Sequence, residues 1–135
     1  GARAATGGFI DAERVLRSDH TPTEFAFVAS EGRRNTTLAL VAVSVSLTKS
    51  QLAQVAQAAT AAFHRRITPC GTTFDGDVLF AVAPIEPGSI TAVPPLARIE
   101  AVAIAALEMA IERGVTTAQG REGIPGLADQ PAGHA

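Results

Sequence analysis

The chain has 135 residues, 47% of them hydrophobic and 18% charged, with a formal net charge of −2 and a pI near 5.9. That composition supports one packed domain and argues against global disorder. It also argues against nucleic acid as a partner: there is no basic stripe, aromatic residues are 4%, and the chain has neither Trp nor Tyr.

Cys70 is the sole cysteine, so neither an intrachain disulfide nor a cysteine-rich zinc site can form within the chain. No motif calls for a metal or a cofactor. No apolar run reaches the ~18 residues of a membrane span, and no secretory signal opens the chain. The expectation is a cytoplasmic protein without membrane attachment. The chain opens on Gly1 rather than Met, which suggests a piece of a longer or processed protein.

Residues 1–23 read as irregular linker, with one helical turn around Ala12–Arg17 and a break at Thr21-Pro22-Thr23. Glu24–Ser30 has the look of a short strand, and Glu31–Arg34 that of a polar, exposed connector. Thr36–Leu47 is rich in β-branched residues and predicts a strand. Its near-continuous apolar start suggests burial on both faces. Thr48 and Gln51 then fit a capping box. From there Leu52, Val55, Ala56, Ala59, Phe63 and Ile67 recur at helical spacing up to the stop at Pro69. His64 reads as a surface or packing residue and Arg65-Arg66 as a solvated helix end.

Pro69–Gly76 reads as a loop, Val78–Ala83 as a buried strand, and 84–95 as a proline-rich loop with a short strand at Ile90–Val93. A last helix from about Pro95 to Arg113 carries an apolar stripe of Ile99, Val102, Ala103, Ala106, Met109 and Ala110, with Gly114 as the residue that ends it. Residues 116–135 read as a flexible tail. The order of strands and helices predicts an α/β or α+β domain.

Chemistry concentrates at two places. A threonine at a chain's N-terminus carries its own base, because its α-amine has a pKa of about 7.7–8.0. Cutting the Asn35–Thr36 bond would therefore make Thr36 nucleophile and base at once. Asp75 and Asp77, two residues apart, face the same side if the segment is extended. Such a pair pushes at least one carboxyl pKa upward, and it could hold the Thr36 ammonium, orient its hydroxyl or move protons. Cys70 reads as a small loop residue rather than a nucleophile.

The run NTTLALVAVSVSLTKSQLAQVAQAA, followed by HRRITP and DGDVLFAVA, resembles the C-terminal part of the L-aminopeptidase/D-esterase family. That family includes β-aminopeptidases and nylon-oligomer hydrolases, and these motifs look most like the latter branch. The resemblance implies a four-layer α/β/β/α sandwich similar to N-terminal-nucleophile hydrolases, with only its C-terminal part in this chain. It further implies a zymogen that cleaves itself, with Asn35 ending one subunit and Thr36 opening the next as nucleophile. Asp75 and Asp77 match the pair that supports the nucleophile. On this reading residues 1–35 end the α-subunit region, 36–115 are the catalytic β-subunit part, and 116–135 are the tail. The implied substrate is a small amide or short peptide, and the implied assembly is a homo-oligomer of αβ units. Oxyanion donors and a Lys or Tyr would come from an upstream region outside this chain, so these residues alone are expected to be inactive. Two other readings compete: an acyltransferase of the ornithine acetyltransferase type, and a non-catalytic α/β interaction module.

Overall fold

The computed structural model describes residues 11–18, 36–73, 75–86 and 92–129. The expected strand at Glu24–Ser30, the connector at Glu31–Arg34 and Asn35 lie outside them, as does most of the expected short strand at Ile90–Val93. Helix and strand are mixed, as predicted. In order, the elements are helix α1 (Ala12–Leu16), strand β1 (Leu38–Ala42), helices α2 (Lys49–Ala59) and α3 (Ala61–Arg66), strand β2 (Val78–Val82) and helix α4 (Leu96–Thr116). The chain divides into two compact units, Gly1–Leu38 with Ile67–Val78, and Ala39–Arg66 with Leu79–Ala135.

In the first unit, α1 is one short helix whose N-cap Asp11 accepts a hydrogen bond from the Arg14 backbone N–H at 3.0 Å. The same unit holds the start of both strands and the loop between α3 and β2.

β1 and β2 are hydrogen-bonded neighbours. The Val78 N–H donates to the Thr37 carbonyl and the Val43 N–H to the Val82 carbonyl, both at 2.9 Å. Those two bonds fix a parallel register, with Leu38 beside Val78, Leu40 beside Phe80 and Ala42 beside Val82. A parallel pair needs a crossover, and α2 and α3 supply it. The predicted strand is shorter than expected, because pairing ends near Val43. Burial on both faces is also corrected. Leu38 is 72% exposed, Leu40 63% and Phe80 57%, since nothing among the described residues covers that face.

The second unit's core lies among the helices. Val55 and Ala59 of α2, Ala62 and Phe63 of α3, and Ala103 and Leu107 of α4 are buried. The capping box forms as expected: Thr48 Oγ1 accepts from the Gln51 N–H, and Gln51 Oε1 accepts from the Thr48 N–H. The predicted single helix breaks at Thr60, whose hydroxyl donates to the Gln57 carbonyl at 2.6 Å and competes with the helical ladder.

Two expectations for α4 change. Gly114 lies inside the helix, which runs on to Thr116; the hydroxyls of Thr116 and Thr117 donate to the Glu112 and Arg113 carbonyls at 2.8 and 2.6 Å. The buried line is Ala103 and Leu107, whereas Val102 and Met109 of the predicted stripe are 60% and 59% exposed. Arg65 and Arg66 are not merely solvated either. Arg65 pairs with Glu108 at 2.7 Å, and Arg66 pairs with Glu108 at 3.0 Å and with Glu112. These donors hold the Glu108 carboxyl below its ordinary value. His64 is exposed on α3. Within the stretch read as a tail, Asp129 accepts from the Gly120 and Gly126 N–H groups at 2.6 and 2.9 Å and closes a loop.

Candidate active site

The parallel register decides what stands beside Thr36. Continuing it two residues back from Leu38 and Val78 sets Gly76 opposite Thr36 and Asp77 opposite Thr37. Side-chain geometry agrees. A Cβ built on Gly76 would lie 2.8 Å from Thr36 Oγ1. Asp77 Oδ1 accepts the Thr37 backbone N–H at 2.8 Å. Thr36 itself is exposed and lies two residues ahead of β1.

Exposure alternates from Asp75 to Val82, with Asp75 and Asp77 at the less exposed positions. Both carboxylates thus fall on one side of the strand lead-in, as an extended segment requires. Their partners differ. Asp75 Oδ2 accepts from the Thr72 backbone N–H at 2.7 Å and from its hydroxyl at 2.8 Å, closing a short turn. Asp77 holds the Thr37 N–H with one oxygen and accepts the Cys70 thiol proton with the other, at a sulfur–oxygen distance of 3.2 Å. Among the described residues neither carboxylate is hydrogen-bonded to the Thr36 hydroxyl. Asp77 acts on the backbone of Thr37, and Asp75 on the loop that precedes β2.

The electrostatics follow from these bonds. Burial alone would raise the Asp77 carboxyl, but the Thr37 N–H and the Cys70 thiol outweigh it and hold the group below the usual carboxylate value. A carboxyl raised by its twin was expected of this pair; at Asp77 the shift runs the other way, because hydrogen bonds from the Thr37 N–H, the Cys70 thiol, the Thr37 hydroxyl and the Gly71 N–H favour the charged form. Cys70 shows the opposite effect. Burial, its hydrogen bond to Asp77 and the negative charges of Asp77 and Asp75 push its thiol up to about 11. Such a thiol is a donor, not a nucleophile, at neutral pH.

Cys70 and Gly76 are the residues that sequence reasoning passed over. Gly76 was visible as the middle of Asp75-Gly76-Asp77, yet nothing local tied it to Thr36. Among the described residues no group of three or more His, Cys, Asp and Glu side chains could hold a metal, and no helix is long and apolar enough to cross a membrane.

Neither curated proteins nor solved structures give a significant match to the chain. The family profile described as peptidase family S58 does match, over residues 5–128. With nearly the whole chain covered, including Thr36, Asp75 and Asp77, the chain belongs to peptidase family S58, the L-aminopeptidase/D-esterase family of peptide hydrolases.

Proposed function

We propose that this chain carries the processing site and nucleophile of a self-cleaving amide or peptide hydrolase of the aminopeptidase/amidase type. Thr36 Oγ1 attacks the Asn35 carbonyl carbon, the Asn35–Thr36 C–N bond breaks, and the hydroxyl proton passes to the leaving nitrogen. Water then opens the ester, which leaves a carboxylate on Asn35 and restores the Thr36 hydroxyl. The freed amine next serves as base for that same hydroxyl. It takes the hydroxyl proton as Oγ1 attacks a substrate amide, the substrate amine leaves with a proton, and water hydrolyses the acyl-enzyme.

The observation that carries this reading is the setting of Thr36. It opens a strand, is exposed, lies against a glycine, and has the next N–H tied to a carboxylate. Asp77 acts by holding the backbone at Thr37. Asp75 holds the loop that presents Asp77. Asp77, tied to the next N–H, brings a negative charge to within one residue of the Thr36 ammonium formed on cleavage. The open apolar face of β1 and β2 supports the four-layer sandwich, in which a second sheet from the upstream region would cover it. On the same reading that region supplies the oxyanion donors, substrate walls and αβ assembly, and these 135 residues alone are inactive. Thr after Asn at positions 35 and 36 supports a reading within the nylon-oligomer branch.

Intact-mass analysis of the full-length protein tests the proposal. A subunit beginning at Thr36 is expected, and Thr36→Ala should leave the chain uncut and abolish amide hydrolysis. A wild-type protein that stays intact while hydrolysing amides would overturn the mechanism.

A further inference from the structure

Gly76 is the one described residue whose absent side chain leaves room for the Thr36 hydroxyl. A Cβ there would lie 2.8 Å from Oγ1, 3.7 Å from Cγ2 and 3.8 Å from Cβ of Thr36. The first distance is closer than real Cβ contacts come, and the other two are ordinary van der Waals spacing. The glycine is not required by its backbone. Positive φ occurs at Gly71 and Gly123 among the described glycines, not at Gly76. Glycine at 76 therefore serves close approach alone.

The backbone around it has little freedom to retreat. Asp75 is tied to the Thr72 N–H and hydroxyl at 2.7 and 2.8 Å. Asp77 is tied to the Thr37 N–H at 2.8 Å and to Cys70 at 3.2 Å. On the other side, the Val78 N–H to Thr37 carbonyl bond locks the two lead-ins in register. An added methyl must then be accommodated by the Thr36 side chain, through rotation about χ1 that carries Oγ1 out of place.

We propose that Gly76 is a positioning residue for the nucleophile: it leaves the gap in which the Thr36 hydroxyl sits, with Asp75 and Asp77 clamping the backbone that bounds the gap. This rests on the reading of Thr36 as the self-cleaving nucleophile. The consequence is a kinetic penalty larger than the structural one, because a displacement of about 1 Å at a reacting atom costs on the order of 10²-fold in rate.

Cell-free synthesis of the full-length protein, followed in time by intact mass, reads self-cleavage without any added substrate. Gly76→Ala should slow appearance of the subunit beginning at Thr36 by on the order of 10²-fold while the thermal midpoint stays near wild type. The loss should shrink in a Thr36→Ser background, where no Cγ2 methyl opposes rotation of the hydroxyl back toward the Asn35 carbonyl. If Gly76→Ala does lower the midpoint, Thr36→Ala should restore it, because it removes the clashing oxygen. Wild-type cleavage by Gly76→Ala overturns the proposal, and so does an equal loss in the Thr36 and Thr36→Ser backgrounds or a midpoint that Thr36→Ala fails to restore. A wild-type protein that never yields a chain beginning at Thr36 removes the underlying reading instead.

Discussion

At Asp77 hydrogen bonds from the Thr37 backbone and the Cys70 thiol favour the ionised carboxylate against burial. One oxygen holds the Thr37 backbone N–H, and the other is held by a thiol whose own pKa is pushed to about 11 by burial and by the anionic pair. The two groups reinforce each other. The ionised carboxylate keeps the thiol protonated, and the protonated thiol keeps the carboxyl ionised. Cys70→Ala removes one donor, so the Asp77 carboxyl should rise toward its ordinary value. The sign is definite: a lowered acid stays charged further into the acid range, and losing the donor moves that limit to higher pH. Self-cleavage by Cys70→Ala should fail at a higher pH than wild type as the pH is lowered, and should slow roughly 2- to 10-fold at neutral pH. Time courses of subunit formation across pH measure both effects. An unmoved acid limb would show that the thiol does not tune Asp77.

At the scale of elements, α4 shows how a helix outruns its apparent stop. Gly114 would end a helix if its backbone turned left-handed, but it keeps helical φ, and no heavy atom lies within 4 Å of an added Cβ. The threonine hydroxyls that follow bond back to the Glu112 and Arg113 carbonyls in this last turn. Gly114→Ala should therefore stabilise the protein by about 0.5–1 kcal/mol, since alanine costs less conformational entropy at a helical position with free space. Denaturant unfolding with an unchanged slope checks this. The same helix explains why its buried line was misread. Alanine and leucine at 103 and 107 pack against α2 and α3, while the larger Val102 and Met109 stay out. Burial of Ala103 and Leu107 sets the rotation of the helix, and that rotation leaves Glu108 where it meets Arg65 and Arg66.

Over the whole molecule, acid sensitivity is expected at the two carboxylates among the described residues whose pKa is lowered. Arg65 and Arg66 hold Glu108 below its ordinary 4.5, and the Thr37 N–H and Cys70 outweigh burial to hold Asp77 below its ordinary 3.8. A lowered folded-state pKa gives stability that is fully present above the unfolded value and is lost as pH falls through the folded one. Stability should thus be flat from neutral pH to about 5 and decline below that. Glu108→Gln should reduce stability at neutral pH and flatten the decline, more so at low salt because its partners are partly exposed. Unfolding midpoints between pH 7 and 3 at two ionic strengths test both statements.

Much of this protein is written locally. The capping box at Thr48 and Gln51, the β-branched run after Thr36, the two-residue spacing of Asp75 and Asp77 and the long apolar repeat near the C-terminus are each decided by near neighbours, and each was legible. The structure alone decided the pairings between distant residues. Gly76 meets Thr36 and Asp77 meets Thr37 across 40 positions, and Arg66 meets Glu108 across 42. Such meetings depend on strand register and helix rotation, in which one step along a strand turns every side chain to the other face. A sequence shows that a threonine, a glycine and two carboxylates exist. The parallel register puts the glycine on the side of Thr36 in the strand pair and the carboxylates on the other.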